Sequence, residues 1–451
     1  MARPGTALPA LALFAAAGST AAAVPPTWTP FPAGPNAPVN ALVVHYAWPN
    51  KQLFLGGEFT AAGAVPSSHI AAWNGAGFDP VPSLHSPVVA LAERLVNCMP
   101  TVVAGGFLGL VDDPSVGVNG TNLVTLGESG WSKVTPPCQL PWVGGLGVYN
   151  NELIASGGGM NYISRFDGVQ WSEMGQGLIT VARDMLTLDE PTGPVLVASA
   201  GSAGSQTLGM IAKWDGTHWT NLTDSFSGIN GLVDATCIFD DGSGSGPALF
   251  IGGGFIGFTN SRLNHVAKYV GGVWQPLGLG VNGDVHDMAV FDDGEGDGPA
   301  LYVAGNFTTA GGQPASRIAR WKNGQWSPLG AGVSGGAVLA IEVFDDDGDG
   351  PIPAALYAAG AFTSAGGQPS LRLARWGPPA PCKADVASLG GAADDDGVLT
   401  ADDVVFYLQS FFAANLVVAD IASLGGGSTP DGQLTPDDLV AYLAAFFSGC
   451  P

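Results

Sequence analysis

The sequence predicts an all-β fold of seven repeated four-stranded units, followed by a small α-helical C-terminal module. Three observations carry this prediction: a Gly-rich motif recurs along most of the 451 residues, bulky residues recur five positions apart, and a duplication ends the chain. The 68 Gly and 34 Pro residues beside 46% hydrophobic residues suit many short strands joined by tight turns.

The first 23 residues have the features of a secretory signal peptide. Arg3 is their only charge, an apolar run extends from Leu8 to Ala17, and three alanines at 21–23 fit a small-residue cleavage site. The run is too short for a spanning helix, and no later segment is apolar for long enough. We therefore expect a mature protein that is secreted or on the cell surface, with no membrane span.

Residues 24–376 contain seven copies of one unit. The motif Gly-Gly-x-Phe or a close variant recurs after an apolar run, most clearly at 301–314 and 356–369. A bulky residue ends a later apolar run, and in six units an aromatic residue stands five positions on, as Trp326 follows Trp321. This constant gap predicts a tight hairpin between two strands. Each unit then holds four strands, at about 325–329, 337–344, 354–362 and 371–376 in the clearest stretch.

The N-terminal strand supplies the missing piece of the seventh unit. Gly377 and two prolines stand where its second aromatic residue belongs, whereas the segment after Trp28 is similar to the segment after Trp326. Residues 24–381 number 358, or about 51 per unit, near the length of β-propeller repeats. The sequence therefore predicts a seven-bladed β-propeller closed into a ring without free sheet edges. A β-solenoid or sandwich array is the alternative.

The repeat resembles the Gly-Gly-x-Phe-Thr-x-Ala-Gly-Gly propeller repeats of exported bacterial proteins, over residues 28–376. We expect the Phe of the motif to pack between blades and its glycines to allow turns with positive φ. The resemblance implies a shared architecture rather than a shared chemistry, so it does not name a function.

Three blade hairpins are rich in acidic residues. They begin at Asp241, Asp293 and Asp345, and the last two match the start of a calcium-binding loop. Leu301 and Pro353 stand where a later acidic ligand is needed. We therefore interpret these segments as Gly/Asp hairpin turns, with calcium binding as the alternative.

A Pro-rich linker, 377–381, leads to a duplicated module at 382–451. Each copy is an acidic loop followed by an amphipathic helix with a Thr N-cap, and the module holds ten acids and one base. Calcium prefers six to eight oxygen ligands, which spaced acidic positions around a turn glycine can supply. The predicted Ca²⁺ ligands are Asp385, Asp394, Asp396, Thr400, Asp403, Asp420, Asp431, Thr435 and Asp438. The alternative is that these residues only cap helices or lie in solvated turns.

This module resembles dockerin-type modules, and more closely the variant that ends in Gly-Cys, as Gly449 and Cys450 do here. The resemblance implies paired EF-hand-like calcium loops and an anchoring role, with a cohesin-like or cell-surface partner. Ala392 departs from the pattern, since an Asp is expected at the first position of the loop.

Five cysteines are consistent with an oxidising location. Cys382 and Cys450 bracket the C-terminal module and predict a disulfide that staples it. Cys98 and Cys138 form a second candidate pair, and Cys237 then has no predicted disulfide partner. No pair has the spacing of a zinc or thioredoxin motif.

Catalytic signals are weak, and we predict no catalytic residue. Residues 332–336 fit G-x-S-x-G, but they lie between strands, whereas a nucleophile elbow needs a following helix. Six polar residues on the predicted inner strands can face the central channel, where propeller ligands bind. They are Arg183, Asp184, Asp234, His286, Asp287 and Glu342.

The charge of −23 argues against a nucleic-acid partner and favours cation binding. The sequence thus favours an exported, non-enzymatic binding or surface-display protein over an enzyme. The propeller is the recognition scaffold, its partner an extracellular protein or polysaccharide, and the calcium-binding tail is the anchor. The alternative is a secreted polysaccharide-active hydrolase or lyase with its site in the propeller channel.

Overall fold

The computed structural model describes residues 25–47, 50–96, 99–107, 122–127, 130–134, 142–158, 161–199, 210–222, 229, 231–257, 263–346, 353–378 and 407. Pro25–Ala380 form one compact unit. Met1–Val24 and Pro381–Pro451 form a second, of which only Tyr407 is described, a buried residue in helical conformation. The predicted signal peptide and the predicted helical module therefore lie outside the described residues.

The described part of Pro25–Ala380 is built from β-strands. In chain order the strands are β1 (Thr27–Pro30), β2 (Val39–Ala47), β3 (Asn50–Gly57), β4 (Ala61–Ala62), β5 (Val65–Pro66), β6 (Ile70–Trp73), β7 (Phe78–Asp79), β8 (Val88–Val96), β9 (Met99–Gly106), β10 (Leu123–Gly127), β11 (Gly130–Lys133), β12 (Val143–Tyr149), β13 (Glu152–Gly157), β14 (Ile163–Phe166), β15 (Trp171–Glu173), β16 (Met185–Glu190), β17 (Gly193–Ala198), β18 (Ala212–Trp214), β19 (Trp219–Asn221), β20 (Val233–Phe239), β21 (Ala248–Gly253), β22 (Val266–Val270), β23 (Val273–Pro276), β24 (Val285–Phe291), β25 (Ala300–Gly305), β26 (Thr309–Ala310), β27 (Gln313–Pro314), β28 (Ile318–Lys322), β29 (Gln325–Pro328), β30 (Val333–Ser334), β31 (Val338–Phe344), β32 (Ala355–Gly360), β33 (Ser364–Ala365), β34 (Gln368–Pro369) and β35 (Leu373–Gly377).

Twenty-eight of these strands form seven four-stranded antiparallel sheets, which we call blades 1 to 7, and the other seven form three small sheets of two or three strands. In order from the first strand, the blades are β2-β3-β6-β7, β8-β9-β10-β11, β12-β13-β14-β15, β16-β17-β18-β19, β20-β21-β22-β23, β24-β25-β28-β29 and β31-β32-β35-β1. The first strand of each blade contacts the first strands of both neighbouring blades, and β31 contacts β2. The seven blades therefore form a closed ring around their first strands, as in a β-propeller.

The seventh blade combines strands from both ends of the unit. Strand β1 pairs with β35 so that Trp28 lies opposite Trp376. The Nε1 of Trp28 also donates a hydrogen bond to the carbonyl oxygen of Leu329, at 2.8 Å. The resemblance between the segments after Trp28 and Trp326 predicted this pairing, which closes the ring and removes the exposed edges that an open sheet would have.

The five-residue gap between bulky residues is the hairpin that joins the third and fourth strands of a blade. In blade 6, Asn323 and Gly324 form the two-residue turn, both with positive φ, which places Trp321 opposite Trp326. The two indole rings lie 5.1 Å apart between centroids. The repeated aromatic pair is therefore a cross-strand contact that fixes the register of the outer strands.

The core lies between neighbouring blades. The Phe residues of the repeated motif are almost completely buried, and each lies in an apolar cluster built from two adjacent blades. These residues are Phe59, Phe255, Phe307 and Phe362. The prediction that they pack between blades is confirmed.

The prediction of positive φ is wrong for the glycines of the Gly-Gly-x-Phe element, whereas the later Gly pair of the repeat, at 311–312 and 366–367, does have positive φ. Gly56 and Gly252 lie within extended strands, and neither has a positive φ. A Cβ atom on Gly56 would lie 2.4 Å from Cγ1 of Val88, and one on Gly252 would lie 2.4 Å from Cγ1 of Val285. These glycines are required because the first strand of the next blade packs directly against them.

Candidate functional site

A β-bulge near the start of the inner strands creates the candidate site. Pairing within β20 and β24 skips one residue each, Asp234 and His286. In blade 4, Arg183 and Asp184 both bond the backbone of Ser199, so two residues again oppose one. A bulge turns the extra side chain away from the regular alternation. Consequently Arg183, Asp234 and His286 occupy equivalent places on three consecutive inner strands.

Arg183, Asp234 and His286, which we call the channel triad, form a charged group on blades 4, 5 and 6. Nη1 of Arg183 lies 3.1 Å from Oδ1 of Asp234, which is an ion pair between neighbouring blades. The Arg183 side chain is 56% exposed, whereas that of Asp234 is only 10% exposed. Oδ1 of Asp234 is enclosed, and the N–H groups of Arg183 are not well aligned on it. A bound polar group with a better aligned donor would satisfy this oxygen more fully.

The pKa values of the triad reflect the competition between burial and charge. Burial raises the pKa of Asp234, and the nearby charges of Arg183 and His286 oppose this shift. Burial lowers the pKa of His286, and the carboxylates of Asp234 and Asp284 oppose that shift. Both shifts favour the neutral forms of the two side chains.

Asp184 and Asp287 follow the bulge positions and tie neighbouring blades together. Oδ2 of Asp184 accepts hydrogen bonds from the backbone N (2.6 Å) and the hydroxyl (2.7 Å) of Thr236 in blade 5. Oδ2 of Asp287 accepts one from the backbone N of Ile341 in blade 7, at 2.7 Å. Burial raises the pKa of Asp184 and raises that of Asp287 well above the usual range. A buried aspartate that accepts a hydrogen bond from the backbone of the next blade therefore joins blade 4 to blade 5 and blade 6 to blade 7.

Glu342 in β31 is a further carboxylate of this region. Burial raises its pKa to about 7, although its Oε1 accepts a hydrogen bond from the backbone N of Val343, at 3.1 Å. Its charge and that of Asp184 also raise the pKa of Asp287. Cys237 in β20 is a free cysteine whose pKa burial raises to about 12, with Asp287 and Asp184 adding to the shift. A carboxyl group with a pKa near 7 can donate or accept a proton at neutral pH.

The structure therefore brings together all six of the polar residues predicted to face the channel, on the inner strands of blades 4 to 7. Sequence reasoning missed Asp284, Thr236 and Cys237, which contact or act electrostatically on them. Thr236 stands two residues after Asp234 in the sequence. Its contact with Asp184 could be inferred from this spacing only if the bulge at Asp234 were already known. No helix follows Ser334 of the G-x-S-x-G segment, which leads into β31.

The acidic hairpins are held by cations of the protein itself. Oδ2 of Asp241 lies 2.6 Å from Nζ of Lys268. The guanidinium of Arg320 contacts Glu295 at 2.7 Å and Asp297 at 2.5 Å, and its Nε lies 3.7 Å from the buried Asp293.

In blade 7, Nε of Arg375 lies 3.0 Å from Oδ2 of Asp346. Each of these three bases lies on the third strand of the same blade as its hairpin, and Nζ of Lys51 in blade 1 lies 3.7 Å from Oδ2 of Asp345. These contacts support the interpretation of the segments as hairpin turns, of which residues 347–350 lie outside the described part of the chain. Among the described residues, no group of three or more His, Cys, Asp or Glu side chains is arranged to hold a metal ion.

The nine predicted calcium ligands of the tail lie outside the described residues, as do Cys98, Cys138, Cys382 and Cys450. Their roles stay predictions. Within the described ranges, no helix has both the length and the apolar character needed to cross a membrane.

Comparison with known proteins does not assign a family. No family model matches the chain, and no curated protein matches it. Among solved structures, the extracellular domain of a one component system from B. thetaiotaomicron is similar at 7% identity and a TM-score of 0.49, over 81% of this chain and 42% of that one. The chain thus spans less than half of that structure's length.

Two further structures have similar folds at lower scores. YCF48 bound to D1 peptide is 16% identical, with a TM-score of 0.44 over 78% of this chain and 95% of that one. An ancestral GH74 enzyme is 12% identical, with a TM-score of 0.41 over 76% and 48%. These likenesses are too distant to indicate a function.

Proposed function

We propose that this chain is an exported recognition protein that binds a polar ligand at the channel triad and is anchored by its C-terminal module. The observation that carries the proposal is the enclosed Oδ1 of Asp234, on which no N–H of its neighbour Arg183 is well aligned. Arg183 beside it is half exposed and supplies further donors. A hydroxyl-rich ligand fits this set, because a hydroxyl can donate to Asp234 and accept from Arg183.

Affinity electrophoresis in gels that contain soluble polysaccharides tests this site. We expect at least one neutral polysaccharide, among xyloglucan, galactan and soluble cellulose derivatives, to retard the full mature chain. Asp234→Asn removes the negative charge and one of the two oxygen acceptors, and is expected to weaken the retardation. Asp189→Asn is the matched control, because Asp189 is an exposed aspartate at the far end of an inner strand. If none of these polysaccharides changes the mobility of the wild type, the proposal is contradicted.

An enzymatic role is the second candidate, and Glu342 favours it. A glycoside hydrolase needs a carboxylic acid that stays protonated near neutral pH, and Glu342 has a pKa of about 7. Release of reducing ends from the same polysaccharides measures this activity. Hydrolysis by the wild type that is lost in Glu342→Gln supports the enzyme, whereas binding without hydrolysis supports the recognition protein.

We further propose that the C-terminal module binds two calcium ions through Asp385, Asp394, Asp396, Thr400 and Asp403 and the corresponding residues of the second copy. The duplicated acidic loops support this proposal, since such a density of carboxylates is costly without a counterion. Native mass spectrometry of the mature chain should detect two ions in calcium and none after chelation. Asp396→Asn should remove one ion. If the mass measured in the presence of calcium shows no bound ion, the proposal is contradicted.

A further inference from the structure

We propose that a crevice between blades 2 and 3 is a binding site for a small carboxylate with an apolar body, and that Arg94 holds the carboxylate. The crevice has a volume of about 320 Å³, which is enough for a single-ring molecule. It lies away from the channel triad, so this proposal is independent of the function proposed above. We call it the Arg94 crevice; its lining is Arg94, Val96, Val103, Thr125, Lys133, Val134, Leu153, Phe166, Gly168 and Val169.

Arg94 is a buried charge without an anionic partner. The residue is only 7% exposed, and its Nε is enclosed without any hydrogen-bond acceptor. Among the other described arginines, four contact a carboxylate and two donate to a backbone carbonyl oxygen; the first four are Arg165, Arg183, Arg320 and Arg375, and the other two are Arg317 and Arg372. Burying a guanidinium without an acceptor is costly, because it loses its hydration and gains no partner.

The groups around Arg94 compensate for its charge only in part. Its Cζ lies 5.4 Å from the centroid of the Phe166 ring, a cation–π contact across the two blades. Burial lowers the pKa of Arg94, and the charge of Asp167 opposes this shift. Oδ1 of Asp167 accepts hydrogen bonds from the backbone N of Val169 and of Gln170, both at 2.8 Å, and the carboxylate makes no hydrogen bond or ion pair with Arg94. The planar fork of the guanidinium therefore still lacks an oxyanion that would fit it.

The walls of the Arg94 crevice determine the class of ligand. Four of its lining residues are aliphatic or aromatic and buried or partly buried, whereas the polar lining comes from Arg94, Thr125 and Lys133. Two of the chain's 15 basic residues thus line one crevice in a protein with a net charge of −23. One anionic group beside an apolar body satisfies both parts of this lining.

Isothermal titration calorimetry of the full mature chain with benzoate tests the site. Benzamide is the matched neutral probe, and sulfate is the inorganic anion. We expect benzoate to bind and benzamide not to bind. Arg94→Met should weaken benzoate binding at least about tenfold, because a hydrogen-bonded charge pair is lost. Arg165→Met should bind benzoate as the wild type does, because it makes the same change of charge on the same blade pair outside the crevice.

A second pair of variants covers the case in which Arg94→Met does not fold. Val169 is 91% exposed at the rim, so Val169→Glu should fold and repel the carboxylate. Val273→Glu makes the same change at an exposed strand of blade 5 and should leave benzoate binding unchanged. Equal binding of benzoate and benzamide, equal binding by Val169→Glu and the wild type, or binding of sulfate without benzoate would each overturn the proposal.

Discussion

Replacing Glu342 by Gln should stabilise the propeller at pH 8 but not at pH 4.5. The ordinary pKa of this side chain is 4.5, and burial raises it to about 7 in the folded protein. A raised pKa means that the folded state holds its proton more tightly than the unfolded chain does. The stability that protonated Glu342 contributes is therefore fully present below pH 4.5 and is lost as the pH rises through about 7.

The magnitude follows from the size of the shift. At about 1.4 kcal/mol per pKa unit, the change between 4.5 and about 7 corresponds to about 3 kcal/mol at most. A folded unit of this length unfolds with an entropy of about 0.7 kcal/mol/K, so the effect is about 4 °C in Tm. Gln keeps an oxygen that can accept the hydrogen bond from the backbone N of Val343, so the variant should not disturb the fold.

Differential scanning calorimetry of both proteins at pH 4.5 and pH 8, in excess chelator, measures the effect. We expect the Tm of Glu342→Gln to exceed that of the wild type by about 4 °C more at pH 8 than at pH 4.5. Glu173→Gln makes the same change at an exposed side chain and controls for the loss of net charge. A Tm difference that is the same at both pH values, or larger at pH 4.5, would refute the reasoning.

Three further substitutions test the packing of the blades by urea denaturation. Trp326→Phe removes the indole N–H that donates to a backbone carbonyl at 2.9 Å, and should cost about 1 kcal/mol; an unchanged midpoint would show that this bond contributes nothing. Gly252→Ala should cost about 1–3 kcal/mol, because the added Cβ overlaps the next blade, whereas the control Gly77→Ala meets no atom within 4 Å and should be neutral. Arg320→Gln should cost about 3 kcal/mol, because it leaves Asp293, which is 2% exposed, without its cation; a loss below 1 kcal/mol would mean that the hairpin does not depend on this charge.

The blade architecture was largely predictable because each blade repeats the same local pattern. The gap between Trp321 and Trp326 is a property of one hairpin, so it is visible in the sequence without knowledge of the rest of the fold. The predicted strands at 325–329 and 337–344 differ from the observed Gln325–Pro328 and Val338–Phe344 by one residue each. Closure by Trp28 was also predictable, because the segment that follows it repeats the pattern of the blade that it completes.

The geometry of the sites was not predictable, because it depends on contacts between blades. The prediction for the glycines of the Gly-Gly-x-Phe element failed because the packing of Val285 against Gly252 joins residues of different repeats. The channel residues were identified as candidates, but the bulge that aligns Asp234 with His286 leaves no mark in the residue pattern. Arg94 was missed for the same reason: its lack of a partner is a property of the neighbouring blade.

The pairing of β1 with β35 also sets the order in which the molecule can be completed. The two strands are joined by nearly the whole chain of the propeller, so their contact is the longest-range pairing in the ring. Because the chain is synthesised from its N-terminus, β1 is made first and has no pairing partner until the last blade has been made. Such long-range closure is slow, because the entropy of the large loop is lost before the new contacts compensate for it. The seventh blade can therefore be completed only when the whole propeller chain has been made, so the ring stays open during synthesis.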